Sequence, residues 1–288
     1  MLDLHMHSNC SDGTDTPTEL LRKCEQHGIE YVSITDHDNC NAYNDVANWD
    51  KVFSGKIITG IELQAYFKGL SIEILGYGFN VAKMQKLTKD LYLPFDVVNN
   101  EELKRLYDIC KNIGMTFEYD VIEKYQKSGI YYATEYLHNV IKKSKYNRQF
   151  IPDNESLRLE SIFFKRHISN PNSLFYINES DLIPSAKKII EIIHNAGGLA
   201  FIAHVFQYEE NALDVLSGLA DFVDGVECFY SSFKNEQTEF LLKFCNGKEL
   251  FVSGGSDYHG SKRPEISLGS KVPKEYVDKW YSCSRSLV

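Results

Sequence analysis

Short apolar segments that end in a histidine or a carboxylate recur along this chain, and they constrain its fold more than any other feature. Residues 2–7 (LDLHMH) read as a strand carrying His5 and His7. Residues 30–35 are a second and run into Asp36-His37-Asp38; residues 56–63 are a third, with Glu62 near its end, and residues 72–79 a fourth. Between the first two, Thr16-Pro17-Thr18-Glu19 has the makings of a helix start: a threonine cap, a proline in the first turn and a glutamate three residues after the cap. Leu20, Leu21 and Cys24 then share one helical face, and His27-Gly28 supplies the stop. Apolar strands alternating with helices predict a parallel sheet buried on both faces.

The pattern breaks near Val81. From there to about Ser180 the chain is rich in Lys, Asn and Tyr, with helical patterns over 101–112, 132–143 and from Leu182 onward. Strand-like runs return at 199–204 (LAFIAH), 222–229 and 249–253. The expected organisation is α/β: a β/α barrel over 1–80 plus 185–288, interrupted by a mostly helical insertion, or lid, over 81–184.

Lys and Arg number 31 against 40 Asp and Glu, a net charge of −9. An acidic chain is a poor passive binder of nucleic acid, whose backbone is gripped mainly by Lys and Arg, so no stable duplex binding is expected. Carboxylates that hold divalent cations make a site locally positive, so a phosphate-bearing substrate is not excluded. No run approaches the roughly 18 apolar residues of a membrane span, and the N-terminus reads as a strand and not as a signal peptide; a cytoplasmic protein without a membrane partner is expected. The seven cysteines (Cys10, Cys24, Cys40, Cys110, Cys228, Cys245, Cys283) form no C-x-x-C, which indicates neither a disulfide framework nor a zinc finger. Cys10 and Cys40 read as small reduced residues beside a site.

His5 and His7, two apart on a strand, enter the same space. Alone, such a pair describes two satisfied core histidines equally well. The other strand ends change that reading. Asp12 follows the first strand in Ser11-Asp12-Gly13, His37 follows the second, Glu62 closes the third, His204 closes LAFIAH, and Asp257 and His259 follow the last in GGSDYH. Barrel enzymes place their sites at this end of their strands. Nitrogen and oxygen donors without organised thiolates favour Zn, Mn or Fe, and eight donors suffice for two or three divalent metal ions if Glu62 bridges. Such a centre generates hydroxide at neutral pH and holds the attacking and leaving oxygens of a phosphoryl transfer. Asp36 and Asp38 are expected to orient His37; His27, His138, His167 and His194 read as surface or capping residues.

The segments DLHMHSNCSDGT, SITDHDN, GIEL, IAH and GGSDYHG, in this order, resemble the polymerase and histidinol phosphatase (PHP) superfamily, in particular its stand-alone phosphoesterases with a helical insertion. That resemblance implies a distorted (β/α)7 TIM-like barrel. It implies that His5, His7, Glu62 and Asp257 bind one metal, that Glu62 bridges to a second completed by His204, and that Asp12, His37 and His259 hold a third. It implies attack on phosphorus by a metal-bridging hydroxide, with Asp257 or a nearby histidine such as His204 moving protons. The expected substrate is a nucleotide, a short oligonucleotide or a small phosphate monoester.

Three departures stand out. The superfamily usually has His-Ile-Leu-Gly-Tyr where this chain has Glu73-Ile74-Leu75-Gly76-Tyr77, so Glu73 enters as a ninth, harder ligand that favours Mn or Fe. Ala203-His204-Val205-Phe206-Gln207 replaces the usual Ala-His-Pro with a basic residue soon after. The helix near Tyr132-Ala133-Thr134-Glu135-Tyr136 lacks the Arg-x-His expected to reach substrate phosphate. Lys262 and Arg263 are the candidate replacements; the basic run Lys142, Lys143, Lys145, Arg148 reads as a solvated helix end. Loss of these guanidinium clamps leaves two alternatives open: hydrolysis of a non-phosphate bond, or a metal-bound module without catalysis.

Overall fold

The structure, a computed structural model, describes residues 1–44, 48–130 and 132–281. The chain runs β1 (Leu2–Met6), α1 (Pro17–Gln26), β2 (Tyr31–Ile34), β3 (Lys56–Ile57), β4 (Gly60–Phe67), β5 (Leu70–Tyr77) and α2 (Val81–Thr88). There follow α3 (Phe95–Asn112), α4 (Val121–Tyr125), α5 (Ala133–Lys143), α6 (Asn154–Arg158) and α7 (Glu160–Phe163). It ends with α8 (Ala186–Asn195), β6 (Leu199–Ile202), α9 (Ala212–Leu219), β7 (Gly225–Tyr230), α10 (Asn235–Lys248), β8 (Phe251–Gly255) and α11 (Lys274–Tyr281). Two compact units result: Met1–Ala65, Ile72–Leu91 and Pro184–Val288 form one, and Tyr66–Ser71 with Tyr92–Ile183 the other.

In the first unit β1 is buried at every position. Its odd residues Asp3 and His5, continued by His7, form a buried polar column, while Leu2, Leu4 and Met6 are apolar. The strands make a three-stranded sheet, β1-β2-β3, and a five-stranded sheet, β4-β5-β6-β7-β8. Single bridges tie them together, Met6 to Tyr258 on one side and His37 to Glu62 on the other, and Asp257 N donates to His5 O at 2.8 Å. Gly255 permits the close approach of β8 to β1: a Cβ there would lie 2.3 Å from the His5 backbone nitrogen.

This arrangement corrects two expectations. The strands are not one closed, parallel barrel: β6, β7 and β8 are parallel, but β5 pairs antiparallel with β6. The cause is the two-residue turn Lys68-Gly69, both at positive φ (48° and 95°), which reverses the chain between β4 and β5. The single strand expected over 56–63 is also divided. Ile58 N donates to Val32 O and Thr59 O accepts from Gly78 N, so the chain leaves one sheet and joins the other between these residues. The runs expected at 222–229 and 249–253 form strands only from Gly225 and Phe251, because Asp224 lies in the turn after α9 and Glu249 caps α10 in a left-handed conformation.

The helix start at Thr16 is a full capping box with Pro17 in the first turn. Below the strand ends, Leu2, Leu4, Tyr77, Phe201, Val277 and Trp280 form an apolar core. The second unit has its own core, with Leu103, Leu106, Leu137, Ile141, Phe163 and Phe175 at its centre. Six of the cysteines are free thiols, and Cys283 lies outside the described residues. Among the described residues no helix is long and apolar enough to cross a membrane.

Trp280 is fully buried, stacks on Tyr77 (centroids 5.5 Å) and donates from Nε1 to Val252 O at 3.0 Å. Trp280→Ala is expected to destabilise the protein by about 3–5 kcal/mol, as removal of a large core aromatic does; a change below about 1 kcal/mol in denaturant unfolding would show that α11 is not part of the cooperative core.

Candidate metal centre

The nine donors named from the sequence come together at one end of the first unit. His5 and His7 stand at the end of β1, and His37 extends β2 to its bridge with Glu62 in β4. Glu73 is in β5, His204 follows β6, and Asp257 and His259 follow β8. Asp12 is on the loop after β1. Asp36 folds that loop, accepting from Ser8 N (2.8 Å), Ser8 Oγ (2.6 Å) and Ser11 Oγ (2.6 Å). Asp36 therefore positions Asp12's loop and does not orient His37 as expected, and Asp38 accepts from Gln64 N at 2.9 Å. Asp38, His204 and Asp257 all have positive φ (57°, 21° and 59°). Non-glycine residues hold such conformations where the surroundings over-determine them, most often at functional sites.

Donor atoms fall into four overlapping groups, each with members within 4.8 Å of one another: His7, Asp12, His37 and His259; His5, Glu62 and His204; His5, His7 and Asp257; and His37, Glu62 and Glu73. Glu62 is central. Its Oε2 lies 3.2 Å from His5 Nε2, 3.2 Å from His7 Nε2 and 3.3 Å from His37 Nδ1, and its Oε1 lies 3.0 Å from His204 Nε2. Glu73 sits 3.1 Å from His204 Nε2 and 3.7 Å from His37 Nδ1, so the residue in the place of the usual histidine reaches the same space.

Several features fit metal ions. His7 Nδ1 and Nε2, His204 Nδ1, His259 Nε2 and Asp12 Oδ1 are buried and make no hydrogen bond, a costly state for a polar atom unless something else satisfies it. Two imidazoles have their second nitrogen fixed. His5 Nδ1 is 2.9 Å from Glu227 Oε1, and His259 Nδ1 is 2.8 Å from Asp257 O. Donation from Nδ1 in each leaves Nε2 with a lone pair to give, the usual orientation of a metal-ligating histidine. Glu227 also accepts from His204 N at 2.8 Å, so one buried carboxylate sets two candidate ligands.

The electrostatics agree. Burial alone lowers a histidine pKa, but the carboxylates of Glu62, Glu227 and Asp257 outweigh it and hold His5 well above its ordinary value. Asp257 and Glu62 raise His7 to about 9, and Glu62 and Glu73 raise His204 to about 10, each against the same burial. Burial raises carboxylates, yet neighbouring imidazoles hold Glu62 and Asp257 well below the usual range and lower Asp12 as well. A pocket that retains protons this strongly on His5, His7 and His204 is one that attracts cations.

Sequence reasoning missed four residues. Glu227 was visible as an acid inside the apolar run GVECFY, and Asp3 as the residue two before His5 on the same face. Asp3 accepts from Ser256 N (2.9 Å), Ser256 Oγ (2.6 Å) and Gly269 N (2.7 Å), and burial outweighs these bonds to raise it to about 6. Tyr230 donates to Asp257 Oδ2 at 2.6 Å, and Tyr208 OH accepts from Glu73 N at 2.8 Å; neither carried a local signal. Of the candidate phosphate binders, Arg263 is half-exposed and binds Asp257 Oδ2 through Nη1, while Lys262 is exposed on the turn after His259. His27 and His194 are at the surface, as expected. His138 is not: it is 1% exposed in the second unit, with Nε2 2.8 Å from Ser156 O, because its helix packs that face into the core.

Comparison with known proteins follows the same lines. A 5′-3′ exoribonuclease of Haemophilus influenzae is 28% identical over 89% of this chain and 89% of its own length. A phosphoribosyl 1,2-cyclic phosphate 1,2-diphosphodiesterase of Eggerthella lenta is 24% identical over 94% of this chain and 98% of its own. The structure of a proposed metal-dependent phosphoesterase from Bifidobacterium adolescentis has the same fold, with a TM-score of 0.65 at 21% identity, over 99% of this chain and 97% of that one. The defining pattern of the PHP domain matches residues 3–214, a stretch that begins with the polar column of β1 and extends beyond His204. With its donors at the strand ends and this match over most of its length, the chain belongs to the PHP domain family.

Proposed function

We propose that this protein is a metal-dependent phosphoesterase, a hydrolase that cleaves a phosphate ester of a nucleotide or short oligonucleotide. The observation that carries the reading is the single cluster of nine imidazole and carboxylate donors around Glu62. Both curated relatives named above act, by their descriptions, on phosphate ester bonds. In this reading the two sheets and their bridges form a distorted barrel.

Two or three divalent ions (Mn, Fe or Zn) would supply Lewis-acid charge and an activated water for attack at phosphorus. His5, His7 and Asp257 would hold one; Glu62, His204 and Glu73 a second; Asp12, His37 and His259 a third if present. In this reading Asp257 or His204 would move protons; His204 has an unpartnered Nδ1 for the purpose, while Tyr230 and Arg263 bind Asp257 Oδ2. Arg263 spends one amino group on Asp257 and has further donors for a phosphate oxygen, with Lys262 beside it.

Protein assayed with Mn²⁺ against phosphate monoesters, nucleoside bisphosphates and short RNA is expected to turn over at least one class, and His37→Ala to lose more than about 100-fold, beyond what even an indirect metal partner is worth. Bound metal without hydrolysis of any phosphate ester would overturn the reading. Glu73→Gln is expected to lower the metal content of purified protein; unchanged stoichiometry would remove Glu73 from the ligand set. Because His7 and His204 hold protons up to about 9 and 10, a metal binding at neutral pH must displace them. Apparent affinity should then rise with pH by about tenfold per unit for each proton released, up to those values. Calorimetric titration in two buffers of different ionisation enthalpy measures the release, and zero release would contradict it.

A further inference from the structure

The second unit carries a separate charge pattern. Over residues 66–71 and 92–183 the thirteen Lys and Arg equal the thirteen Asp and Glu, so the chain's net −9 falls on the metal-centre unit. Four of those thirteen cations lie between residues 142 and 148, at the end of α5 and just beyond. Lys142 donates to Arg158 O, but Lys143, Lys145 and Arg148 are exposed and make no ion pair among the described residues.

A solvated helix end accounts for lysines near a C-terminus, but not for what adjoins them. Lys143 and Lys145 line a cavity of about 410 Å³ together with Phe117, Tyr119 and Val140. Glu118 is the one acid among the lining residues. The walls are tied to each other: Asn147 accepts from Thr116 N at 3.0 Å and donates to Thr116 O at 2.7 Å, which joins Thr116 to the basic segment. Tyr119 is 44% exposed, and Phe117 packs against the unit's core. A groove with unpaired cations along one wall and aromatic rings in the other suits a polyanion that carries flat rings.

We propose that this groove binds single-stranded nucleic acid, with phosphates along its Lys143 and Lys145, a further phosphate met by exposed Arg148 beyond the lining on the same segment, and a base against Tyr119. The inference rests on the phosphoesterase reading above for its substrate class, and it selects an oligonucleotide over a mononucleotide. An acidic peptide would satisfy the lysines but would leave the aromatic wall without a planar partner.

The test is anisotropy of a labelled, nuclease-resistant phosphorothioate uridine decamer with the full-length protein. Lys143→Glu/Lys145→Glu/Arg148→Glu is expected to weaken binding more than tenfold at low salt. It should also flatten the salt dependence by about two in log–log slope, as loss of three phosphate contacts on a single strand does. Tyr119→Ala is expected to weaken it about fivefold, the low end for one base–aromatic stack, with the salt slope unchanged. Turnover of a mononucleotide should be the same in both variants as in the unaltered protein. Decamer binding that ignores the triple substitution, or a polyglutamate that competes as well as the decamer, would overturn the proposal. If no phosphate ester is hydrolysed at all, the phosphoesterase reading fails, while the anisotropy still decides the groove.

Discussion

Glu62 is a carboxylate buried to 1% exposure with imidazole nitrogens of four histidines within 3.3 Å of its two oxygens. A lone carboxylate so placed would be too costly to ionise, and four histidines packed together would repel as cations. Each half of the cluster makes the other tolerable, and the strand ends are held in the register that brings them together. Gly255 lets β8 approach His5, the bridge from His37 to Glu62 joins the two sheets, and Glu227 fixes both His5 and the backbone of His204.

The supporting residues share one habit: each binds the atom of a donor residue that faces away from the cluster. Glu227 takes His5 Nδ1, Asp257 O takes His259 Nδ1, Tyr230 and Arg263 take Asp257 Oδ2, and Tyr208 takes the backbone of Glu73. The donor atoms are thereby aimed before any ion arrives, which reduces the reorganisation that binding requires. This also gives the departures from the superfamily's usual pattern a physical setting. Tyr208, three residues beyond Val205, where the usual Ala-His-Pro becomes Ala203-His204-Val205, supports the strand that carries the unusual Glu73.

The clustering of these histidines and carboxylates was legible in the sequence because they fall at the ends of strands, and nothing about packing explains acids there. The alternation of strand and helix was legible for the same reason that it folds: apolar runs bounded by turn and cap residues leave few choices. What was not legible depends on partners distant in sequence. Lys68-Gly69 looks like any polar turn, and only the pairing of β5 with β6 shows that it reverses a strand. Asp36 stands beside His37 in sequence, yet its charge goes to Ser8 and Ser11, 28 and 25 residues away. His138 lies in a segment of polar composition, and its burial follows from which face of α5 meets the core of the second unit.

The contact between β1 and β8 has a kinetic side. Ser256 meets Asp3 across 253 residues of sequence, and Asp257 reaches His5 over nearly the same separation. Closing so long a loop is slow compared with local helix formation, and contacts of this kind dominate folding time. During synthesis the N-terminal histidines emerge long before Asp257 and His259, so a nascent chain can offer only part of the donor set. The full cluster therefore exists only in a chain whose β1 and β8 have met, so it is a late product of folding and not merely of the presence of its residues.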